Sequence, residues 1–257
     1  MIEREKILSF VKEILSAVGF VGIILIILWG YTGQFPHSPM VVVTSSSMMH
    51  SGSSFGKIGT IDPGDLVLVK KANNIITREE GREKGYITYR DYGDVIIYYP
   101  NGNKNKTPII HRAICWVEKN KDGTYTVKEY NIYNQDSITI PELELRNYRP
   151  PHSGYITKGD NNGNLSDQAT ELSSPIKPEW ILGKARGEIP WFGLIKLIFF
   201  GNENGYHGDD AVWIGKAVAP RDEWICLGIS LFVIVGIPSI WDAYNYYKKW
   251  KLKKLRL

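Results

Sequence analysis

The chain of 257 residues has few of the groups that brace small proteins or hold metals. Cysteine occurs only twice, at Cys115 and Cys226, so the sequence gives no disulfide framework. No spacing of cysteine and histidine typical of a metal site occurs, and we expect no metal or other cofactor. The formal net charge is only +4, which does not indicate nucleic-acid binding.

Charge is missing from one long stretch near the N-terminus, where residues 14–56 contain no charged side chain. Residues 14–31, ILSAVGFVGIILIILWGY, form an apolar run of 18 residues, which is long enough for a membrane-spanning helix. Trp29 and Tyr31 would then lie at the membrane interface. A cleavable signal peptide is the alternative, but no small-x-small cleavage site follows the run.

A second uncharged run, residues 224–241, has a tryptophan at each end, and its proline is tolerated in a spanning helix. The last ten residues carry six basic side chains, and basic residues also precede the first run. Because positive charge stays in the cytoplasm, both termini are predicted to be cytoplasmic. The chain is therefore predicted to be a multi-pass cell-membrane protein, with the lipid bilayer as a partner. Its predicted parts are a cytoplasmic N-terminus 1–13, a transmembrane helix 14–31, an extracytoplasmic domain 32–223, a transmembrane helix 224–241 and a basic cytoplasmic tail 242–257.

A shorter apolar segment, residues 189–201, is IPWFGLIKLIFFG, too short to span a bilayer. It is compatible with an interfacial segment that places Trp191, Phe192, Phe199 and Phe200 in lipid. It is equally compatible with a core strand or helix.

The outer domain is predicted to be mainly β, because short runs of β-branched and aromatic residues alternate with turn signals. We expect a closed or partly closed β-fold held by N- and C-terminal transmembrane α-helices. No internal repeat and no long helical period appear between Tyr31 and Pro190. The predicted strands are 41–43, 66–69, 95–99, 109–117, 125–130 and 155–157, with the fourth and fifth paired as a hairpin.

Two residues are candidates for a catalytic nucleophile and its general base. Ser47 lies in Ser45-Ser46-Ser47-Met48, directly after a β segment, and a serine needs a base to become a nucleophile. Among the five histidines, His111 lies within an apolar strand, which would hold a base rigidly. A serine-rich turn and a half-buried structural histidine are the alternatives for each residue taken alone.

An aspartate is needed to orient such a histidine, and one Asn/Gly-rich loop supplies two candidates, Asp160 and Asp167. The same loop is also compatible with a Ca²⁺-binding module. It lacks the glutamate that completes an EF-hand loop, so we favour the catalytic interpretation.

Five motifs follow one another along the chain. They are Ser45-Ser46-Ser47-Met48, Ile61-Asp62-Pro63-Gly64-Asp65, Gly93-Asp94-Val95-Ile96 with Ile109-Ile110-His111-Arg112, Thr157-Lys158-Gly159-Asp160-Asn161-Asn162, and residues 181–187 with 190–193. In this order they resemble the type I signal peptidases of the archaeal and endoplasmic-reticulum branch, and five motifs in the right order are a specific signal. The match runs from the first apolar run to about residue 197. His50 stands where the family usually has proline, and the second apolar run favours the archaeal type.

The resemblance implies a role for each matched residue. Ser47 would be the nucleophile and His111 the general base, oriented by Asp167. Asp160 would be a second important carboxylate that orders its loop. The hydroxyl of Ser45 and the backbone N–H of Ser47 would form the oxyanion hole.

The implied function is a membrane-bound serine endopeptidase that removes N-terminal signal peptides from secreted preproteins after small residues, through an acyl-enzyme. Preproteins would be its substrates, and the protein translocon is a further candidate partner. An extended signal peptide would pair with strand edges near 41–45 and 95–98. The alternatives are a catalytically inactive membrane-anchored paralogue or adaptor and a soluble self-cleaving repressor-type protease. The latter would have no reason to carry two apolar runs.

Overall fold

The computed structural model describes residues 2–202 and 205–254, and these form two compact units. The first unit comprises residues 1–41 and 67–187, and the second comprises residues 42–66 and 188–257. The predicted mainly β class is confirmed, because one large antiparallel sheet dominates the described part of the chain. The strands are β1 (Met40–Val42), β2 (Leu66–Lys70), β3 (Ile87–Thr88), β4 (Asp91–Tyr92), β5 (Val95–Tyr98), β6 (Ile109–Lys119), β7 (Tyr125–Val127), β8 (Ile132–Gln135), β9 (Ile138–Ile140), β10 (Leu145–Tyr148), β11 (Gly154–Lys158), β12 (Ile181–Ile189), β13 (Ala211–Ile214) and β14 (Ala217–Pro220). The helices are α1 (Ile2–Thr32), α2 (Arg78–Lys84), α3 (Gly193–Phe200), α4 (Arg221–Leu231) and α5 (Ile237–Lys254).

The large sheet has eight strands in the order β1-β2-β12-β5-β6-β7-β8, with β11 also paired to β6. Strand β6 is its longest member, and residues 111–115 are all buried, so both faces of this part of the strand are covered. One cluster of the first unit packs Ile114 and Cys115 against Ile138 and Leu143. Strand β6 is thereby a rigid support for any side chain that it carries.

The two apolar runs are helical, as predicted. Helices within Phe10–Thr32 and Arg221–Leu252 are long and apolar enough to cross a membrane, by length and composition. The C-terminal one widens to π-helix over Phe232–Gly236, just before Pro238, where the Ile237 N–H reaches the carbonyl of Phe232. Topology and the cytoplasmic location of both termini stay predictions. Met1 and residues 255–257, with Arg256 of the basic tail, lie outside the described residues.

The segment 189–201 contains a helix of the core, which is one of its two expected alternatives, and its interfacial placement stays a prediction. It contains the short helix α3, whose Leu194 and Leu197 are buried with Trp224 and Leu227 of α4. The last two residues of α3, Phe199 and Phe200, are instead exposed. The expectation that Trp191 and Phe192 would lie in lipid is wrong, because both pack against this buried cluster of the second unit.

Two local features differ from the sequence prediction. The strand expected over 125–130 ends at Val127, because Lys128–Tyr130 form a 3-10 turn that closes on Asn131 in the left-handed region. Helix α2 was not expected, since seven residues are too short to show a helical period. Its signal is a capping motif, in which the Thr77 hydroxyl accepts a hydrogen bond from the Glu80 N–H and Gly85 ends the helix at φ 64°.

Candidate active site

A buried histidine–aspartate pair lies in the first unit. His111 is in β6, paired with Ile96 of β5, and Asp167 follows the loop after β11. His111 Nδ1 lies 2.8 Å from Oδ1 and 2.8 Å from Oδ2 of Asp167. The two side chains are 5% and 2% exposed. An aspartate that accepts the Nδ1 hydrogen fixes the tautomer of a neutral imidazole and leaves Nε2 as the basic nitrogen.

Three further bonds hold Asp167 in place. The Tyr98 hydroxyl and the Thr157 hydroxyl each donate to Oδ2 of Asp167, at 2.5 Å. The backbone N–H of Asp167 donates to the carbonyl of Thr157 at 2.9 Å, which returns the loop to the end of β11. Burial and the neighbouring Asp167 carboxylate raise the pKa of Tyr98 well above its ordinary value, so this phenol stays a donor. The carboxylate is therefore fixed by groups from three segments.

The other candidate carboxylate, Asp160, contacts a different side chain. Nε and Nη2 of Arg112 donate to Oδ1 and Oδ2 of Asp160 at 2.8 and 2.6 Å. Nη1 of Arg112 also donates to the carbonyls of Tyr92 and Gly93, at 3.0 and 3.1 Å. Arg112 is fully buried. Asp160 thus neutralises a buried guanidinium that ties the segment after β4 to the strand of the histidine.

This contact also bears on the calcium alternative for the loop. Both carboxylate oxygens of Asp160 face a guanidinium, which would repel a divalent cation at the same oxygens. Among the described residues, no group of three or more His, Cys, Asp or Glu side chains is arranged to hold a metal ion.

A second buried ion network, not expected as such from the sequence, lies at the start of β5. Asp94 accepts hydrogen bonds from Lys184 at 2.8 Å and Arg186 at 2.5 Å, and from the Tyr86 hydroxyl and the Ile76 N–H at 2.9 Å each. Burial alone would raise the pKa of Asp94, but these donors together lower it. The carboxylate thereby joins β12 to β5, the strand next to that of His111. The sequence feature that could have indicated this network is the pair of basic residues, Lys184 and Arg186, two positions apart in one strand.

The serine segment belongs to the second unit. The hydroxyl oxygens of Ser45 and Ser47 lie 3.3 Å apart, within hydrogen-bond reach. The N–H of Met49 donates to the carbonyl of Ser46 at 3.1 Å, which makes Ser47 and Met48 the centre of a turn. Met48 is 2% exposed, so a buried side chain anchors the turn directly after the candidate nucleophile.

The motif Asp62–Asp65 fixes the backbone that leads into this turn. Val43 donates to the carbonyl of Asp65 and accepts from the Gly64 N–H, at 2.9 Å each. The Asp65 carboxylate accepts from the N–H groups of Asp62 at 2.9 Å and Trp191 at 3.1 Å. Burial raises the pKa of Asp62 to about 6 and that of Asp65 to about 8. The second sequence motif is thus a structural clamp for the serine segment.

One expected feature of substrate binding is wrong. Strand β5 was expected to offer an edge to an extended peptide, but Ile96, Ile97 and Tyr98 are paired with both β6 and β12. The pairing with β12, distant in sequence, was not foreseeable from local pattern. Strand β1 is different, since it ends the strand order. Only the expected edge near residues 41–45 is retained.

The sequence matches no family model and no curated protein.

Proposed function

We propose that the chain is a membrane-bound serine endopeptidase of the signal-peptidase type, with its catalytic domain on the extracytoplasmic face. The observation that carries the proposal is the buried His111–Asp167 pair, whose geometry suits a general base in a fixed tautomer. A purely structural histidine would gain little from a carboxylate that is itself fixed by Tyr98 and Thr157. The two apolar helices are consistent with membrane anchoring.

In the proposed reaction, Nε2 of His111 removes the Ser47 hydroxyl proton while Oγ attacks the carbonyl carbon of the scissile bond. The oxyanion is held by the Ser45 hydroxyl and the Ser47 N–H. The imidazolium then protonates the leaving amine, which is the new N-terminus of the mature protein. Water, deprotonated by the same histidine, hydrolyses the acyl-enzyme and releases the signal peptide. Asp167 accepts the Nδ1 hydrogen of His111 and stabilises the imidazolium throughout.

The substrate would be an extended signal peptide with small side chains before the cleavage site. A strand at the end of a sheet order presents unpaired backbone groups, so the peptide is proposed to add beside β1, which leads into the serine segment. Preproteins arriving from the translocon would meet this edge at the outer membrane surface.

The test is cleavage of a preprotein by the full chain in proteoliposomes, with sequencing of the N-terminus of the product. Ser47→Ala should abolish cleavage without changing the melting temperature, because the side chain is only partly buried. Ser46→Ala is the matched control, one residue away in the same turn, and should cleave at a rate near that of the natural chain. Cleavage by Ser47→Ala at that rate would refute the assignment. If the natural chain itself is folded and membrane-inserted but cleaves no preprotein, the inactive adaptor is favoured.

A further inference from the structure

We propose that the second unit carries an interfacial collar, a set of exposed apolar side chains that enters the headgroup region of a bilayer beside the C-terminal apolar helix. The inference rests on the proposed membrane anchoring of that helix. All members lie on elements of the second unit. The collar consists of Phe55, Ile58, Phe199, Phe200, Trp213 and Ile214, with exposed fractions of 65, 56, 68, 77, 54 and 44%.

Two of the three supporting elements pack directly on the first turns of α4. Trp224 and Leu227 of α4 share a buried cluster with Leu194 and Leu197 of α3 and with Ala217 of β14. The Trp224 indole N–H also donates to the carbonyl of Val212 in β13, at 3.0 Å. Helix α3 and the β13–β14 hairpin are therefore fixed to the start of the helix.

The end of α3 and the tip of the hairpin are also joined to each other. The Lys216 N–H donates to the carbonyl of Ile198 at 3.0 Å, and the Asn202 N–H donates to the carbonyl of Lys216 at 3.3 Å. This places Phe199 and Phe200, which end α3, next to the tip that follows Ile214. Exposed apolar residues of these two elements therefore lie near one another rather than at scattered single positions.

The third element is the loop that contains Phe55 and Ile58. The Gly56 N–H donates to Oδ2 of Asp222 in the first turn of α4, at 2.8 Å. A Cβ atom at Gly56 would lie 2.7 Å from Cys226 Sγ, so only glycine allows the loop to approach the second turn so closely. Phe55 and Ile58 flank this contact and stay exposed.

The composition of the collar favours a lipid surface over a second protein copy. Beyond Leu227 the apolar helix is mostly exposed, and the elements that carry the collar contact its first turns. Aromatic side chains prefer the membrane interface, and each of the three elements also carries a lysine that can meet anionic headgroups. These are Lys57, Lys196 and Lys216.

The collar would fix the distance of the serine segment from the bilayer surface, because Phe55 and Ile58 follow Ser47 in the same stretch of chain. Membrane insertion of this loop would hold the proposed nucleophile at the bilayer surface, where a signal peptide leaves the lipid. This consequence depends on the proposed peptidase activity, whereas the insertion itself depends only on the proposed membrane anchoring of the helix.

The insertion can be measured without any enzymatic readout. The full chain, with Cys226 replaced by alanine and the buried Cys115 retained, would receive single cysteines by Phe200→Cys and by Trp213→Cys. Each would be labelled with an environment-sensitive fluorophore and reconstituted into phosphatidylcholine–phosphatidylglycerol vesicles containing acyl-chain nitroxide lipids. Tyr133→Cys is the matched control, since this aromatic residue of the first unit is 52% exposed. Ile234→Cys reports on the apolar helix.

Labels at 200 and 213 should lose at least about half of their fluorescence to the nitroxide lipids, because interfacial segments lie ~5–10 Å into the headgroup and acyl boundary. The label at 133 should instead be quenched by aqueous iodide. Quenching at 234 without quenching at 200 and 213 would overturn the collar while leaving the anchor intact. No quenching at 234 would refute the anchor and the collar with it. Labels at 200 and 213 that neither quencher reaches would mean that protein covers the patch, which also overturns the proposal.

Discussion

Asp160 and Asp167 lie in one loop, yet removing each carboxylate should damage the protein in a different way. Asp160→Ala would leave the fully buried Arg112 without the two short bonds at 2.8 and 2.6 Å that neutralise it. Breaking a buried ion pair by removing one partner lowers the free energy of unfolding by about 3–5 kcal/mol. For a protein of this size that loss corresponds to a fall of ~6–20 °C in melting temperature. Below that temperature, kcat should fall only modestly.

Asp167→Ala should lose less stability and much more activity than Asp160→Ala. The donors that it leaves behind include the hydroxyls of Tyr98 and Thr157, which carry no charge. Unpaired buried groups of this kind cost about 1–3 kcal/mol. Loss of the aspartate that orients a catalytic histidine typically lowers kcat by ~10⁴-fold. Asp167→Asn should be nearly as inactive, because an amide can hold the imidazole in the wrong tautomer.

The assay is kcat on a preprotein and melting temperature for both alanine variants in the same detergent. A double-mutant cycle between Asp160 and Arg112 supplies the control, since removing both residues should cost less than the sum of the single losses. A folded but inactive Asp160→Ala beside a nearly normal Asp167→Ala would reverse the roles. If both variants lose activity only in step with stability, the aspartates are structural, and Ser47 and His111 would act as a dyad.

Three further changes probe the His111–Asp167 pair and the Asp62–Asp65 clamp. Tyr98→Phe removes one donor to Asp167 and should lower kcat while leaving KM unchanged; an unchanged kcat across the pH profile would mean that the phenol only fills space. His111→Lys should stay inactive at neutral pH, because the free pKa of lysine is ~10.4 and Asp167 would favour its charged form; robust cleavage would show that the site does not depend on imidazole. Burial raises the pKa of Asp65 from 3.8 to about 8 in the folded state. Between these two pH values the folded state binds more protons than the unfolded state, so the free energy of unfolding should fall as the pH rises. Melting at pH 5 and pH 8 should show this slope in the natural chain and a flatter one in Asp65→Asn.

The local sequence pattern was sufficient to predict those strands and helices that do not depend on distant contacts. The strand of His111 was predicted from an apolar run that only His111 and Arg112 interrupt, and the hairpin to β7 was predicted from the turn residues between the two strands. The two apolar helices followed from length and lack of charge alone. These features depend on neighbouring residues in the sequence, which is why they could be found without knowledge of distant contacts.

Long-range partners were not predictable in the same way. Tyr98 appeared only as an apolar strand residue, although its hydroxyl binds a carboxylate 69 residues away. Strand β5 seemed to offer an edge because nothing local shows that β12 returns to cover it. Asp94 and its partners Lys184 and Arg186 are about 90 residues apart and meet only through that same return.

The strand β6 explains how one loop serves two purposes. Successive residues of a strand point to opposite faces, so His111 and Arg112 present their side chains on different sides of the sheet. Strand β11 pairs with β6 at Arg112, and its following loop begins there. Asp160, early in the loop, binds Arg112, and Asp167, at the end of the loop, binds His111. The early carboxylate therefore neutralises the guanidinium on one face of the strand, and the later one binds the histidine on the other face. Spacing along the loop alone could not assign these roles, because the face of β6 that each aspartate reaches depends on where the loop returns.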